Sequence, residues 1–383
     1  MPPVRFIALS SPDIGPEERQ LVDAVLRSGT LAGGAMLTAF EREFAARFGA
    51  RHAVAMSSGT AALHVAMIAA GVREGDQVIT SPFSFVASAN SILFERGRPV
   101  FVDIDPGTLT MDPAATIAAI EELAPRGRLR AILPIHIFGR PVEMDAIVDA
   151  ARRHGIPIIE DACEAIGASA DGVLAGRWGD SAVFGFFPNK QMTTGEGGML
   201  LTHRDDWAGL ARSLRNQGRS DDARWLQHER LGYNYRLDEM SAAVGLAQLR
   251  RLDELLAKRE AVAIRYDALL SSVDGVRPLA PPRTGMRLSW FVYVVRLAPE
   301  IDRAGLMSVL SKRGIASRPY FPAIHLQPLY RERFGFRPGM FPHTEAAAES
   351  LLALPFHATL ATEDVEYVCA AVAEEVGSLQ VSG

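Results

Sequence analysis

Lysine is nearly missing from this chain. Only Lys190, Lys258 and Lys312 occur among 383 residues, and every other basic side chain apart from histidine is arginine. Cysteine is as scarce: Cys163 and Cys369 stand far apart, which excludes a disulfide scaffold and fits a reducing cytoplasm. Long apolar runs are lacking. The longest, near Ala61–Val72, is broken by His64 and is too short to cross a bilayer, so no membrane association is expected. The start, Met-Pro-Pro-Val-Arg-Phe, has no charged-then-apolar signal pattern. Strong charge of either sign is missing too. The net charge is −5, and no basic stretch carries interleaved aromatics, which excludes a nucleic-acid partner. The nine histidines show no metal-ligand spacing with Cys or Glu, so no metal is expected.

What is present is an ordinary globular composition, 48% apolar and 22% charged, in a chain long enough for two domains. From about residue 50 to 202, short apolar runs alternate with helical patterns. Ala53–Met56, Gln77–Thr80, Pro99–Ile104, Ala131–Ile137, Pro157–Glu160, Ser181–Phe186 and Gly198–Thr202 read as strands. Helices are expected from Ala61 to Ala70, after Asp112-Pro113, over Met144–His154 and over Trp207–Arg215. Near-continuous apolar strands separated by helices predict a mostly parallel sheet covered on both faces, with ligands at the carboxyl ends of its strands. A long helix is expected within Leu237–Ala263. Pro278–Gly285 reads as a linker, Trp290–Leu297 as a strand, and Arg303–Arg313, Thr344–Leu352 and Glu363–Val376 as helices of a smaller α+β domain.

Four places in this series could carry chemistry. Ser57-Ser58-Gly59-Thr60 leaves a strand and opens a helix, where backbone N–H groups and the helix dipole favour an anion; an ordinary N-cap would use the same residues. Phe85 follows a strand and could stack on a flat ring or simply fill core. Asp161 ends a buried strand, where a carboxylate needs a partner: a ring nitrogen, or the next turn. Lys190 lies between an apolar strand and the turn Thr-Thr-Gly-Glu-Gly-Gly, where desolvation would favour its neutral, nucleophilic amine; a surface lysine is the plain alternative. Arginine cannot perform amine chemistry, so a lysine kept in this background points to a Schiff base. A phosphate cradle, a ring clamp, a partner for a pyridine nitrogen and a Schiff-base lysine form the set that pyridoxal phosphate requires.

The segments Ser-Ser-Gly-Thr-Ala-Ala-Leu (57–63), Phe-Val-Asp-Ile-Asp (101–105), Ile-Glu-Asp-Ala-Cys-Glu-Ala-Ile-Gly-Ala (159–168), Asn-Lys-Gln-Met-Thr-Thr-Gly-Glu-Gly-Gly (189–198), Leu-Gly-Tyr-Asn-Tyr-Arg-Leu (231–237) and Tyr-Phe-Pro-Ala-Ile-His (320–325) resemble the DegT/StrS-like sugar aminotransferases. The resemblance runs over nearly the whole chain. It implies a pyridoxal-phosphate fold of type I: a large domain over 1–250 built on a seven-stranded-type, mostly parallel sheet, its first residues able to join a smaller α+β domain over 251–383. It implies that Lys190 forms the Schiff base and shuttles a proton, and that Asp161 pairs with the pyridine nitrogen. Phe85 would stack on the ring, and Ser58, Gly59 and Thr60 would bind phosphate. Asn234 would reach the cofactor phosphate of a neighbouring subunit, which makes a homodimer with shared sites. His325 belongs to a loop brought towards substrate, and Arg236 and Arg318 are candidate partners for substrate diphosphate or carboxylate. Two positions depart from the commoner pattern. Glu164 stands where many members have Gln near the phenolic oxygen, and Gly185 where many have a phosphate-binding Ser. The implied reaction moves an amino group from L-glutamate to a nucleotide-linked keto sugar. Glu196 in the Gly-Glu-Gly-Gly turn points to a 4-keto-6-deoxyhexose. The rivals are a sugar dehydratase on the same fold, in which His usually replaces the lysine kept here, a cysteine desulfurase-like enzyme, and a cofactor-binding regulatory protein without turnover.

Overall fold

A computed structural model describes residues 5–220 and 227–381. The predicted apolar segments form strands β1 (His52–Met56), β2 (Gln77–Thr80), β3 (Arg98–Phe101), β4 (Leu129–Ile132), β5 (Ile159–Asp161), β6 (Ser181–Gly185) and β7 (Gly198–Thr202). β2 pairs with β3 and β4 in parallel, and β5 pairs with β6 in parallel. β7 runs antiparallel between β6 and β1. Parallel bridges Ile132–Ile158 and Ile135–Asp161 join the two groups, giving the order β3-β2-β4-β5-β6-β7-β1.

Side chains alternate across this sheet with the period of two that a pleated strand imposes. Ala53, Ala55, Phe184, Met199 and Leu201 face a core with Phe40, Phe44, Phe48 and Leu249, contributed by helices Ala35–Phe48 and Glu239–Arg250. Val54, Met56, Val183 and Leu200 face the opposite core with Leu63, Trp207 and Leu214, from helices Gly59–Ala69 and Asp205–Arg215. Both faces are covered, which is why the strands read as unbroken apolar runs. Further along, Val276–Pro278, Tyr293–Leu297, Leu351–Leu354 and Arg318–Pro319 form a second, antiparallel sheet in that order. Helices Leu252–Leu270, Arg303–Lys312 and Thr362–Val381 cover it. Ile7 packs into this second core and bridges to Ile315.

Three expectations need correction. The long helix is two, Glu239–Arg250 and Leu252–Leu270, broken at Arg251, whose guanidinium is held by Asp13, Glu18 and Glu254. The helix expected to reach Leu352 stops at Ser350. Leu351–Leu354 instead forms a fully buried strand paired on both edges, and that burial outweighs helical propensity. Helices Pro16–Ser28 and Ala35–Phe48 were unread, although Pro16, Gly29 and Gly49 punctuate their ends and Phe40, Phe44 and Phe48 recur every four residues. The second of them is capped from far along the chain: the buried Glu239 carboxylate accepts the N–H groups of Gly34, Met36 and Leu37 at 2.8–3.0 Å.

Candidate active site

β1, β2, β5 and β6 are mutually parallel, so their carboxyl ends lie along one edge of the sheet. β7 runs the other way and brings its first residue to the same edge. A cavity of about 500 Å³ opens there, lined by residues that include Ser58, Gly59, Thr60, Phe85, Asp161, Glu164 and Lys190. Seven candidate positions, spread over more than a hundred residues of sequence, therefore meet in one place.

The turn after β1 offers the cavity an anion-binding end. Ser58 Oγ accepts the N–H of Ala61 at 3.0 Å and so caps helix Gly59–Ala69, leaving the first N–H groups of that helix open to a ligand. The turn is backed by glycine. A Cβ on Gly198 would lie 2.5 Å from Gly59 N and from Ser58 C and O. That close backbone approach explains the glycine that opens β7. Gly185, which pairs with Gly198, also lines the cavity and leaves room in front of Cys163.

β5 shows how one strand separates two carboxylates. Glu160 faces away from the cavity and is fully spent: it accepts from Gly176, Trp178 and Gly179 N–H at 2.7–2.8 Å and from His136 Nε2 at 2.9 Å. Asp161, next in the strand, faces the cavity and is 5% exposed. Its oxygens accept from Ser88 Oγ at 2.7 Å and Cys163 N–H at 3.1 Å. Ser88 sits one helical turn beyond Phe85, whose ring, 58% exposed, lines the cavity. An aromatic ring left bare beside a buried carboxylate suits a flat heteroaromatic ligand.

Lys190 is carried on a loop closed at its base by Phe186 N–H to Gly197 O and Thr194 N–H to Phe186 O. Its ammonium lies 3.5 Å from Glu164 Oε1 and 3.9 Å from the centre of the Phe291 ring. Lys258, in contrast, is engaged by Asp13 and Glu254 at 2.7–2.8 Å. Glu164 accepts Phe138 N–H at 3.1 Å; burial holds its carboxyl above the usual carboxylate range against the pull of Lys190. The donor that a carboxylate needs at this position is thus present. Burial, with Asp161 nearby, pushes the Cys163 thiol well up, so it stays protonated and is unsuited to act as a nucleophile.

The remaining candidates lie elsewhere in this chain. Asn234 and Arg236 are exposed and do not line the cavity; Arg236 bonds to Asn216 Oδ1 at 2.9 Å. Arg318 is exposed and donates to the neighbouring Ser317 carbonyl. His325 is fully buried against Glu345, 3.0 Å from Nε2, and burial lowers its pKa. Its segment reaches the cavity through Tyr320 and Phe321 instead. Burial, with Glu164 adding to it, pushes the Tyr320 phenol up to about 12.

Sequence reasoning also missed Ser88, Asn189, Phe187, Phe291 and Arg259. Arg259 is buried in the long helix and donates to the carbonyls of Lys190 (2.8 Å), Phe291 (3.1 Å), Trp290 (3.3 Å) and Asn189 (3.4 Å). It ties the lysine loop to the chain carrying Phe291. Nothing in its local sequence separates it from solvated arginines.

The DegT/DnrJ/EryC1/StrS aminotransferase family matches residues 12–373. The chain belongs to this family. The GDP-perosamine synthase of Caulobacter vibrioides is 39% identical over 372 residues, covering 96% of this chain and 97% of that protein. The structure of Helicobacter pylori PseC, an aminotransferase involved in the biosynthesis of pseudoaminic acid, superposes with a TM-score of 0.91 at 27% identity, covering 98% of this chain and all of that one. Spr1654 of Streptococcus pneumoniae, solved in its PLP-form, superposes with a TM-score of 0.90 at 26% identity, covering 98% of this chain and all of the other. The protein is an aminotransferase with the type I fold of the pyridoxal-phosphate enzymes. Among the described residues, no helix is long and apolar enough to cross a membrane.

Proposed function

We propose that this aminotransferase moves the amino group of L-glutamate to a keto sugar carried on a nucleotide, a 4-keto-6-deoxyhexose, using pyridoxal 5′-phosphate in the cytoplasm. The observation that carries the reading is the convergence of Lys190, Asp161, Phe85 and the Ser58–Thr60 turn on one cavity. The residues fit the cofactor. The N–H groups of Gly59 and Thr60 and the Thr60 hydroxyl would hold phosphate, with Ser58 fixing the turn. Phe85 would cover the ring face. Asp161, its oxygens steadied by Ser88 and Cys163 N–H, would hold a proton at the ring nitrogen. When bound, the cofactor supplies an electrophilic carbon and an electron sink. Lys190 Nζ would join the cofactor, then, once released, take the α-proton of the donor and return it on the way to product. Glu164 would stay within reach of that amine and of the cofactor's phenolic oxygen.

The charge inventory supports a shared site. Among the described residues, the cavity lining holds three carboxyl groups, Asp161, Glu164 and Glu196, and one cation, Lys190, yet it must accept phosphorylated ligands. Asn234 and Arg236, exposed on this chain, would complete the anion site of a second copy in a homodimer. Arg318 and the His325 segment would serve the substrate side.

Borohydride reduction of the yellow holoenzyme followed by peptide mass analysis tests the reading: the adduct is expected on Lys190, and an adduct on Lys258 or Lys312 would overturn it. A panel of nucleotide-linked keto sugars, assayed with glutamate for the amino product by mass, tests the acceptor. Conversion to the pyridoxamine form without any amino sugar would refute it.

A further inference from the structure

Asn234 lies in an extended segment whose neighbours are clamped. The Tyr233 and Tyr235 rings stack on each other, with centres 4.9 Å apart and planes 7° from parallel. Both pack against the buried His64 ring, at 4.8 and 5.9 Å. His64 Nε2 lies 2.8 Å from Glu95 Oε1, and Nδ1 lies 3.1 Å from the Tyr235 hydroxyl. A carboxylate only accepts, so Nε2 donates to Glu95, and Nδ1 is left to pair with the Tyr235 hydroxyl. With residues 233 and 235 turned inward, the alternation of an extended chain turns Asn234 and Arg236 outward, and both are exposed. The same segment meets the phosphate turn of its own chain, where Ser57 N–H donates to Tyr235 O at 2.9 Å. Leu231, 85% exposed, and Phe94, half exposed and edge-on to His64, leave apolar surface around it.

Resting on the shared-site reading above, we infer that Glu95, His64 and Tyr235 form a latch that presets Asn234 for the phosphate in the neighbouring subunit's cavity. None of the three would touch that phosphate; they are positioning residues acting through Asn234. His64 lies on helix Gly59–Ala69, whose N-terminus forms the phosphate turn, so one rigid helix would align the turn of its own site and the donor sent to the other.

The test uses holoenzyme and follows release of the lysine-bound cofactor by absorbance, with dimer mass checked by light scattering. Tyr235→Phe and Glu95→Gln are each expected to release cofactor about tenfold faster at unchanged dimer mass, the scale of one lost hydrogen bond. In a hybrid of either variant with Lys190→Ala, the single lysine-bearing site takes its Asn234 from the protomer with the intact latch. Release from that site is expected to return to the unaltered rate. A hybrid that leaks like its parent variant would overturn the latch. So would normal release from both latch variants while Asn234→Ala leaks. Normal release from Asn234→Ala itself would mean instead that the shared-site reading has failed, and the latch with it.

Discussion

Gly198→Ala should damage the anion end of the cavity without touching a ligand-binding side chain. Gly198 pairs with Met56 on one side and Gly185 on the other, at the cavity end of the β6-β7-β1 ladder. An added Cβ would sit 2.5 Å from three backbone atoms of Ser58 and Gly59. Backbone atoms cannot rotate away as a side chain could, so either β7 or the phosphate turn must shift by nearly an ångström. Overpacking of this kind costs about 1–3 kcal/mol, and the rigid neighbours put this site near the top of the range. Unfolding entropy of about 2.1 cal/mol/K per residue over 383 residues converts about 3 kcal/mol into a Tm lower by about 4 °C. Cofactor affinity should fall more conspicuously, by about tenfold or more, because the displaced N–H groups are those proposed above to hold phosphate. Gly195→Ala is the control. Its φ of +84° makes alanine strained, but nothing lies near its Cβ, so about 1–2 kcal/mol of stability should be lost with cofactor affinity intact. Calorimetry and cofactor titration would measure both variants. A Gly198→Ala protein with the affinity of the unaltered enzyme would refute the claim that backbone contact shapes this turn.

Two other expectations are more general. Arg259→Lys keeps a cation but loses the fork that spans the two chain segments. It should lower kcat several-fold with little change in KM, as the lysine loop loosens, whereas equal loss in a purely thermal assay with kcat intact would assign Arg259 to stability alone. Burial holds His325 and His357 below the usual histidine value near 6.5. Below that value the unfolded chain takes up protons that the folded chain refuses, so stability should fall as pH drops from about 6.5 through the depressed folded values. Tm measured from pH 7 to 5 checks this, and His325→Gln with His357→Gln should flatten the slope; an unchanged slope would show that other groups control it.

The sequence determined much of this protein. Alternating apolar runs and helical patterns are enough to specify a parallel sheet, because a strand buried on both faces must be apolar throughout. Asp161 and Lys190 were legible for a related reason: a charge at the end of a buried strand and an amine in a chain almost free of lysine both need an explanation in chemistry. Tertiary structure alone decided which of two adjacent carboxylates faces the cavity. Glu160 and Asp161 differ by one step of the pleat, and the step depends on what lies above and below the sheet. Only the packed chain could pick out Arg259 among so many arginines, since its role consists of four carbonyl oxygens brought from two other places in the sequence. The breaks at Arg251 and Leu351 were hidden for the same reason. Local propensity is a matter of tenths of a kcal/mol per residue, while ion pairing and burial against distant segments contribute several times more.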